Sequence, residues 1–325
     1  MRRFPLLLLA LPIAACEGSQ SALSPHGDEA SRVALLSWIL FAGAAAIFAL
    51  VAGALLLAWR GPERARAALA QESTIRLGGL AFPIVTLTLL LGYGVWLMRG
   101  AGAGEQQPEL RIDLIGEQWW WRVAYHGPDG RTVADANQIR IPVGREVEIQ
   151  LSSADVIHSF WVPSLGGKTD MIPGRTNRQR LRAERPGIYG GQCAEYCGGP
   201  HALMSFEVIA MPPADFDAWL AGRAKPREAP ATEERRRGQE VFMAAGCGSC
   251  HAIDGTAATG TIGPDLSRFG ERRLLAAGAL RNGSAEVARF IADTQGAKPG
   301  NLMPSFRNLD EAERTAIGVY LTGLK

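Results

Sequence analysis

Cys193-Ala194-Glu195-Tyr196-Cys197-Gly198-Gly199-Pro200-His201-Ala202-Leu203-Met204 places two thiols, an imidazole and a thioether on one short stretch, with His158 upstream of it. These are soft or borderline donors, the kind that selects copper over harder cations. One His, one Cys and a weak Met suffice for a single copper; here there are two Cys and two His, and two thiolates can bridge two metals. A disulfide between Cys193 and Cys197 would leave the His and Met spacing without a purpose, and a structural zinc does not call for methionine.

The surrounding chain alternates. Leu110-Arg111-Ile112-Asp113-Leu114, Val147-Glu148-Ile149-Gln150-Leu151 and Phe206 to Ile209 have period two, separated by turn signals such as Pro142-Val143-Gly144 and Pro186-Gly187. Short strands bounded by Gly, Pro and Asp predict an all-β sandwich over residues 105–220, of the cupredoxin-like kind once the copper ligands are considered. Residues 221–232, rich in Ala, Pro and charge, read as a linker.

From Glu233 the pattern turns helical and leads into Cys247-Gly248-Ser249-Cys250-His251, a c-type haem attachment motif. Two thiols spaced by two residues reach the two vinyl groups, and the adjacent His251 falls beneath the iron. Ile262-Gly263-Pro264-Asp265-Leu266, then Asn301-Leu302-Met303-Pro304, then a terminal helix from about Asp310 to Leu324 follow. A redox dithiol would account for Cys247 and Cys250 but not for His251 and Met303.

The N-terminal hundred residues are different. Arg2 and Arg3, an apolar run and Ala14-Ala15-Cys16 have the features of a signal peptide over residues 1–15. Ile13-Ala14-Ala15-Cys16 resembles a bacterial lipoprotein box, in which Cys16 would carry lipid; an ordinary signal peptide with a chance cysteine is the alternative. Residues 32–59 and 77–99 are long apolar stretches, each enough to cross a bilayer as a helix. The loop between them carries Arg60, Arg64, Arg66 and Arg76 against Glu63 and Glu72, so it is expected in the cytoplasm, with everything after Arg99 outside. A net charge of +2 gives no case for a nucleic-acid partner. Residues 105–222 are acidic overall and residues 233–325 slightly basic, which allows the two soluble domains to dock.

Residues 108–210 resemble the copper domain of cytochrome c oxidase subunit II. The matching stretches are Glu117-Gln118-Trp119-Trp120-Trp121, Asp155-Val156-Ile157-His158-Ser159-Phe160, Val162 to Asp170, Ile172-Pro173-Gly174-Arg175 and the copper loop, with the two preceding apolar helices. The last ~90 residues resemble a class I cytochrome c. The resemblance implies a multidomain membrane protein: a two-helix transmembrane hairpin, an all-β cupredoxin-like domain and an all-α class I cytochrome c domain. It implies a dinuclear copper centre with Cys193 and Cys197 bridging, His158 and His201 on one copper each, Met204 completing one and the Glu195 carbonyl the other. The Glu195 side chain would reach a magnesium or manganese shared with subunit I, and Asp170 and Arg175 would contact that subunit. Trp119 would be the point of electron entry, with strand packing the competing explanation for at least one of Trp119 to Trp121. Cys247 and Cys250 would hold one covalent haem c, His251 and Met303 would ligate it, and the Pro264 carbonyl would orient His251.

The whole resembles subunit II of a caa-type haem–copper oxidase in a bacterial cell (inner) membrane, with both soluble domains extracytoplasmic. Subunits I and III would be its partners, and an upstream cytochrome c or cytochrome bc complex its donor. A membrane-anchored electron carrier or copper-handling lipoprotein without a catalytic partner is the rival reading, and a quinol oxidase subunit is opposed by the intact copper set. One departure stands out. The family's glutamate about seven residues before the second span's proline is Arg76 here, counted from Pro83, and the nearest acid is Glu72. That puts proton entry through this subunit in doubt.

Overall fold

The computed structural model describes residues 18–99, 110–126, 130, 132–223 and 229–325. Cys16 and the expected signal peptide lie outside them. The chain forms two compact units, residues 31–106 and the remainder.

In the first, helix α1 (Asp28–Arg60) is followed by the short α2 (Glu63–Leu69). Then α3 (Glu72–Arg76) runs through a π-helical turn at Leu77–Ala81 into α4 (Phe82–Arg99). Gly78 and Gly79 sit in that turn, where a locally wider helix is tolerated. Two helices here are long and apolar enough to cross a membrane, and their apolar side chains face outward: Phe48 is 75% and Leu91 69% exposed. Apolar surface on all sides of a helix is covered by lipid or by other protein. Arg76 pairs with Glu72 at 2.5 Å, one helical turn apart.

The second unit begins with a two-sheet sandwich. One sheet has the order β3 (Thr132–Ala136), β2 (Trp120–His126), β1 (Leu110–Glu117), β5 (Val147–Ser153), β8 (Asn177–Leu181). The other runs β4 (Gln138–Pro142), β10 (Ser205–Met211), β9 (Gly187–Cys193), β6 (His158–Trp161), β7 (Thr169–Met171). The pairs β1–β5 and β4–β10 are parallel and the rest antiparallel. Period-two alternation turns Ile112, Leu114, Val123, Ile149 and Leu151 inward to meet Phe160, Phe206 and Val208 from the facing sheet. Helix α5 (Pro213–Gly222) closes one end with buried Phe216.

The β1–β2 register ends at Glu117 opposite Trp120, so Gln118 and Trp119 form a two-residue turn. Trp119 therefore escapes the strand alternation, while Trp121 is fully buried, edge-on to Phe206 at 4.9 Å. Of the three tryptophans, Trp121 is core.

The C-terminal part packs α6 (Glu233–Ala244), α7 (Ser284–Ala292) and α9 (Glu311–Thr322), with a short α8 (Thr294–Ala297). Thr232 caps α6 by accepting from Arg235 N, and Asp310 with Glu313 forms a capping box on α9. Gly238 on α6 lies where a Cβ would overlap the Ala316 carbonyl of α9, which lets the helices cross closely around Phe242 and Tyr320. Gly246 ends α6 in the left-handed region, at φ 77°, and releases the chain into the Cys247–Ser249 turn. A Cβ at Gly248 would lie 3.0 Å from Ala258 Cβ, so this turn packs closely on the following loop.

Candidate functional site

The ends of β6 and β9 and the loop from Cys193 to Met204 bring the first donor set together. Cys193 Sγ is 3.8 Å from His158 Nδ1 and 3.8 Å from Cys197 Sγ. Cys197 Sγ is 3.5 Å from His201 Nδ1 and 3.7 Å from Met204 Sδ, and Cys193 Sγ is 3.2 Å from the Glu195 carbonyl. Both thiols are free and buried. Two imidazole nitrogens, a thioether and a carbonyl thus converge on a thiol pair, a geometry that suits metal rather than a dithiol bridge. The donor set fits copper.

Electrostatics prepare this pair. Burial opposes ionisation of Cys193, but contact with His158 and backbone groups at Glu195 and Ser159 outweighs it and lowers its pKa. Burial and the neighbouring Cys193 push Cys197 up to about 12. The metal-free pair therefore keeps a proton that metal binding must displace.

Asp155, three residues before His158, was not singled out from the sequence, although its place in Asp155-Val156-Ile157-His158 is the visible signal. Its Oδ1 accepts from His158 Nε2 at 2.8 Å. A carboxylate that accepts there leaves the Nδ1 lone pair to face the thiols. Burial would raise the Asp155 pKa, but His158 and the amides of Gln118 and Val156 overcome it and lower it. The second oxygen takes the Gln118 amide at 2.7 Å and anchors the Trp119 turn. Gly116 leaves room for the ring: a Cβ there would lie 2.7 Å from His158 Cδ2.

Trp119 lies over the copper loop. Its Nε1 donates to the Cys197 carbonyl at 3.0 Å, which also accepts from Gln118 Nε2 at 2.8 Å. The Glu195 carboxylate lies outside the donor cluster, 3.7 Å from Lys168, which is itself 3.4 Å from Asp170.

In the helical domain, Cys247 and Cys250 are free thiols on one turn beside His251. His251 Nδ1 is 2.8 Å from the Pro264 carbonyl. A carbonyl only accepts, so Nδ1 carries the proton and Nε2 keeps its lone pair for iron. Burial lowers the His251 pKa, which favours the neutral ligating form. Met303 packs at the edge of the core, held by its carbonyl accepting from Thr294 Oγ1 at 2.7 Å. Ile262 and Leu302 are 73% and 76% exposed, apolar surface that a porphyrin would cover. The residues fit a haem.

The two domains meet over a buried ion network. Asp135 takes Arg272 Nε at 3.2 Å and Arg223 at 3.4 Å, with Arg140 at 3.6 Å. Glu271 answers Arg223 at 3.0 Å and Arg140 at 3.7 Å. Arg273 adds a pair with Glu207 at 3.3 Å.

Comparison with known proteins places these features in context. A family profile described as cytochrome C oxidase subunit II, periplasmic domain, matches residues 126–211, and one described as cytochrome c matches residues 236–325. Cytochrome c oxidase subunit 2 of Alkalihalophilus pseudofirmus is 33% identical over 337 residues, covering 100% of this chain and 97% of that protein. The Bacillus subtilis protein of the same name is 31% identical over 256 residues, 76% of this chain and 70% of that one. Among solved structures, the periplasmic domain of subunit II of cytochrome oxidase of Bradyrhizobium japonicum is 32% identical, with a TM-score of 0.34 over 36% of this chain and 95% of that one.

Proposed function

Because the chain belongs to the cytochrome c oxidase subunit 2 family and ends in a cytochrome c domain, we propose that it is the electron-entry subunit of an oxygen-reducing, proton-pumping complex, taking electrons from an upstream cytochrome c or cytochrome bc complex and delivering them to subunit I. The observation that carries this reading is the convergence of His158, Cys193, Cys197, His201, Met204 and the Glu195 carbonyl around one thiol pair, beside a domain with its own haem motif. Those six would hold two coppers, and Cys247, Cys250, His251 and Met303 one haem c. The metals would supply one-electron chemistry, and ligation by a thioether together with histidine would favour a high haem potential.

The chain's own residues set the conditions. Asp155 and Pro264 each fix one imidazole so that the free nitrogen faces its metal. Burial of the thiols keeps water from the cluster. Trp119, bonded to the Cys197 carbonyl, is the proposed point of electron entry.

The protein is membrane-anchored and works with subunit I of a haem–copper oxidase. We place both soluble domains on the extracytoplasmic side, since the arginines of the loop between the spans favour the cytoplasm. Val156, Ile157 and Tyr196, exposed apolar side chains adjoining copper-loop ligands in sequence, suit a protein partner there. Subunit III as a further partner, magnesium or manganese at Glu195 and lipidation of Cys16 complete the proposal.

The test is the copper-to-haem ratio and electron paramagnetic resonance spectrum of the purified, metal-loaded protein. Two coppers per haem, sharing one unpaired electron, is the expected result. A mononuclear signal, or no copper, would sink the dinuclear assignment.

A further inference from the structure

The helical domain touches the copper loop through two loops of its own. In one, Ala276, Ala277 and Gly278 take φ of 54°, 57° and 89° in succession. The left-handed region crowds Cβ against the following carbonyl, so two consecutive alanines there are held by their surroundings. The turn aims two successive carbonyls outward. Ala277 O accepts from the amide and from Oγ of Ser205, both at 3.0 Å, and Ser205 directly follows Met204. Gly278 comes so near that a Cβ there would overlap Ser205 Oγ.

In the other loop, Lys298 is 4% exposed and donates from Nζ to the Trp119 carbonyl at 2.7 Å and to the Ala276 carbonyl at 3.0 Å. It joins a carbonyl of each domain. Gly300, at φ 85°, brings the backbone against Pro200, where a Cβ would lie 3.2 Å from Cδ. Among the described residues no carboxylate pairs with Lys298. A long cationic side chain is rarely buried without one, so its position answers to the two carbonyls.

We infer that the helical domain is a fixed cap on the electron-entry face of the copper loop, held by a two-point clasp in which Lys298 is a positioning residue for transfer from haem to copper. The inference rests on the metal assignments proposed above. Lys298 lies in the loop that leads to Met303, and its partner Trp119 bonds the Cys197 carbonyl, so the clasp registers one ligand loop against the other. The step it positions moves one electron from ferrous haem to oxidised copper, with no bond made or broken. A docked cap makes that step independent of any search by a tethered domain.

The test uses the full-length, haem-loaded protein and two variants, Lys298→Met and Gly278→Ala, that attack the clasp at separate points. The first readout, amide exchange at Ser205, needs no copper. Exchange should be slow in the parent protein and faster by about tenfold or more in each variant, with the haem spectrum kept. The second is light-triggered haem-to-copper transfer in copper-loaded samples. Its rate should be insensitive to viscosity in the parent, and slower and viscosity-dependent in both variants, with both metal potentials unchanged. Equal exchange at Ser205 in all three proteins, or a parent rate that falls with viscosity, would overturn the clasp. Metal content of the same samples reports on the functional assignment separately: slow Ser205 exchange in a protein that takes up no copper would refute that assignment and keep the clasp.

Discussion

Trp119 Nε1 donates to the carbonyl of Cys197 at 3.0 Å, although the two residues are 78 positions apart. Gln118 Nε2 bonds the same oxygen, so the carbonyl stays satisfied if the indole N–H is lost. Trp119→Phe should therefore retain copper and its resonance spectrum while slowing haem-to-copper transfer by about tenfold, equivalent to ~1.4 kcal/mol of barrier. Rates equal to the parent's would reduce Trp119 to a packing residue.

Asp155 accepts from His158, from its neighbour Val156 and from Gln118. An amide in its place must present N–H to at least one of these donors. Asp155→Asn should lower copper affinity about 10- to 100-fold, the usual effect of losing a ligand's supporting hydrogen bond. Competition with a chelator measures it, and an unchanged circular dichroism spectrum would separate the effect from unfolding.

Much of this was legible in the chain. Period-two runs such as Leu110–Leu114 named the sandwich because one face of each sheet is buried, and the donor types of the Cys193–Met204 loop carried their own chemistry. The position of Trp119 was not legible, since alternation assumes a continuous strand and the chain instead turns at Gln118–Trp119. Lys298 carried no local signal at all: its partner is 179 residues away, and docking between domains has no periodicity. Gly116 and Gly263 were equally silent, because the absence of a side chain becomes meaningful only when a ring is packed against it.

Gly263 is the helical domain's counterpart to Gly116. A Cβ at Gly263 would overlap His251 Cε1 and lie 2.8 Å from Nδ1. Gly263→Ala should leave the haem covalently attached through Cys247 and Cys250 but rotate His251 away from the Pro264 carbonyl. Weakened axial ligation should appear as a shifted haem spectrum and a changed reduction potential. A spectrum and potential identical to the parent's would show that the loop yields instead.

Asp135 holds guanidiniums from both domains while its side chain is 1% exposed. Asp135→Ala would leave buried Arg223 and Arg272 and half-buried Arg140 with, among the described residues, Glu271 to offset them. Removing one partner of a buried ion cluster typically costs about 3–5 kcal/mol. Thermal unfolding should show the loss, and Asp135→Asn, which keeps part of the hydrogen bonding, should lose less. A melting temperature within a degree or two of the parent's would mean that the arginines relax into solvent.

Lys298 makes domain docking depend on pH, with a definite sign. Burial pushes its ammonium down to about 7, whereas in an undocked or unfolded chain it would titrate near the ordinary lysine value of ~10.4. Below pH 7 both states bind the proton and the desolvation penalty is fully present. Between about 7 and 10.4 the docked state holds fewer protons than the undocked one, so its stability rises with pH, by a few kcal/mol across the window. Above that range both are neutral and the contribution levels off. The neutral amine still has two N–H groups for the two carbonyls it meets, at Trp119 and Ala276. Urea unfolding of haem-loaded, copper-free protein at a series of pH values should show this rise, and Lys298→Met should remove it. A parent whose stability is flat or falling relative to Lys298→Met over the same window would mean that the lysine stays charged in place.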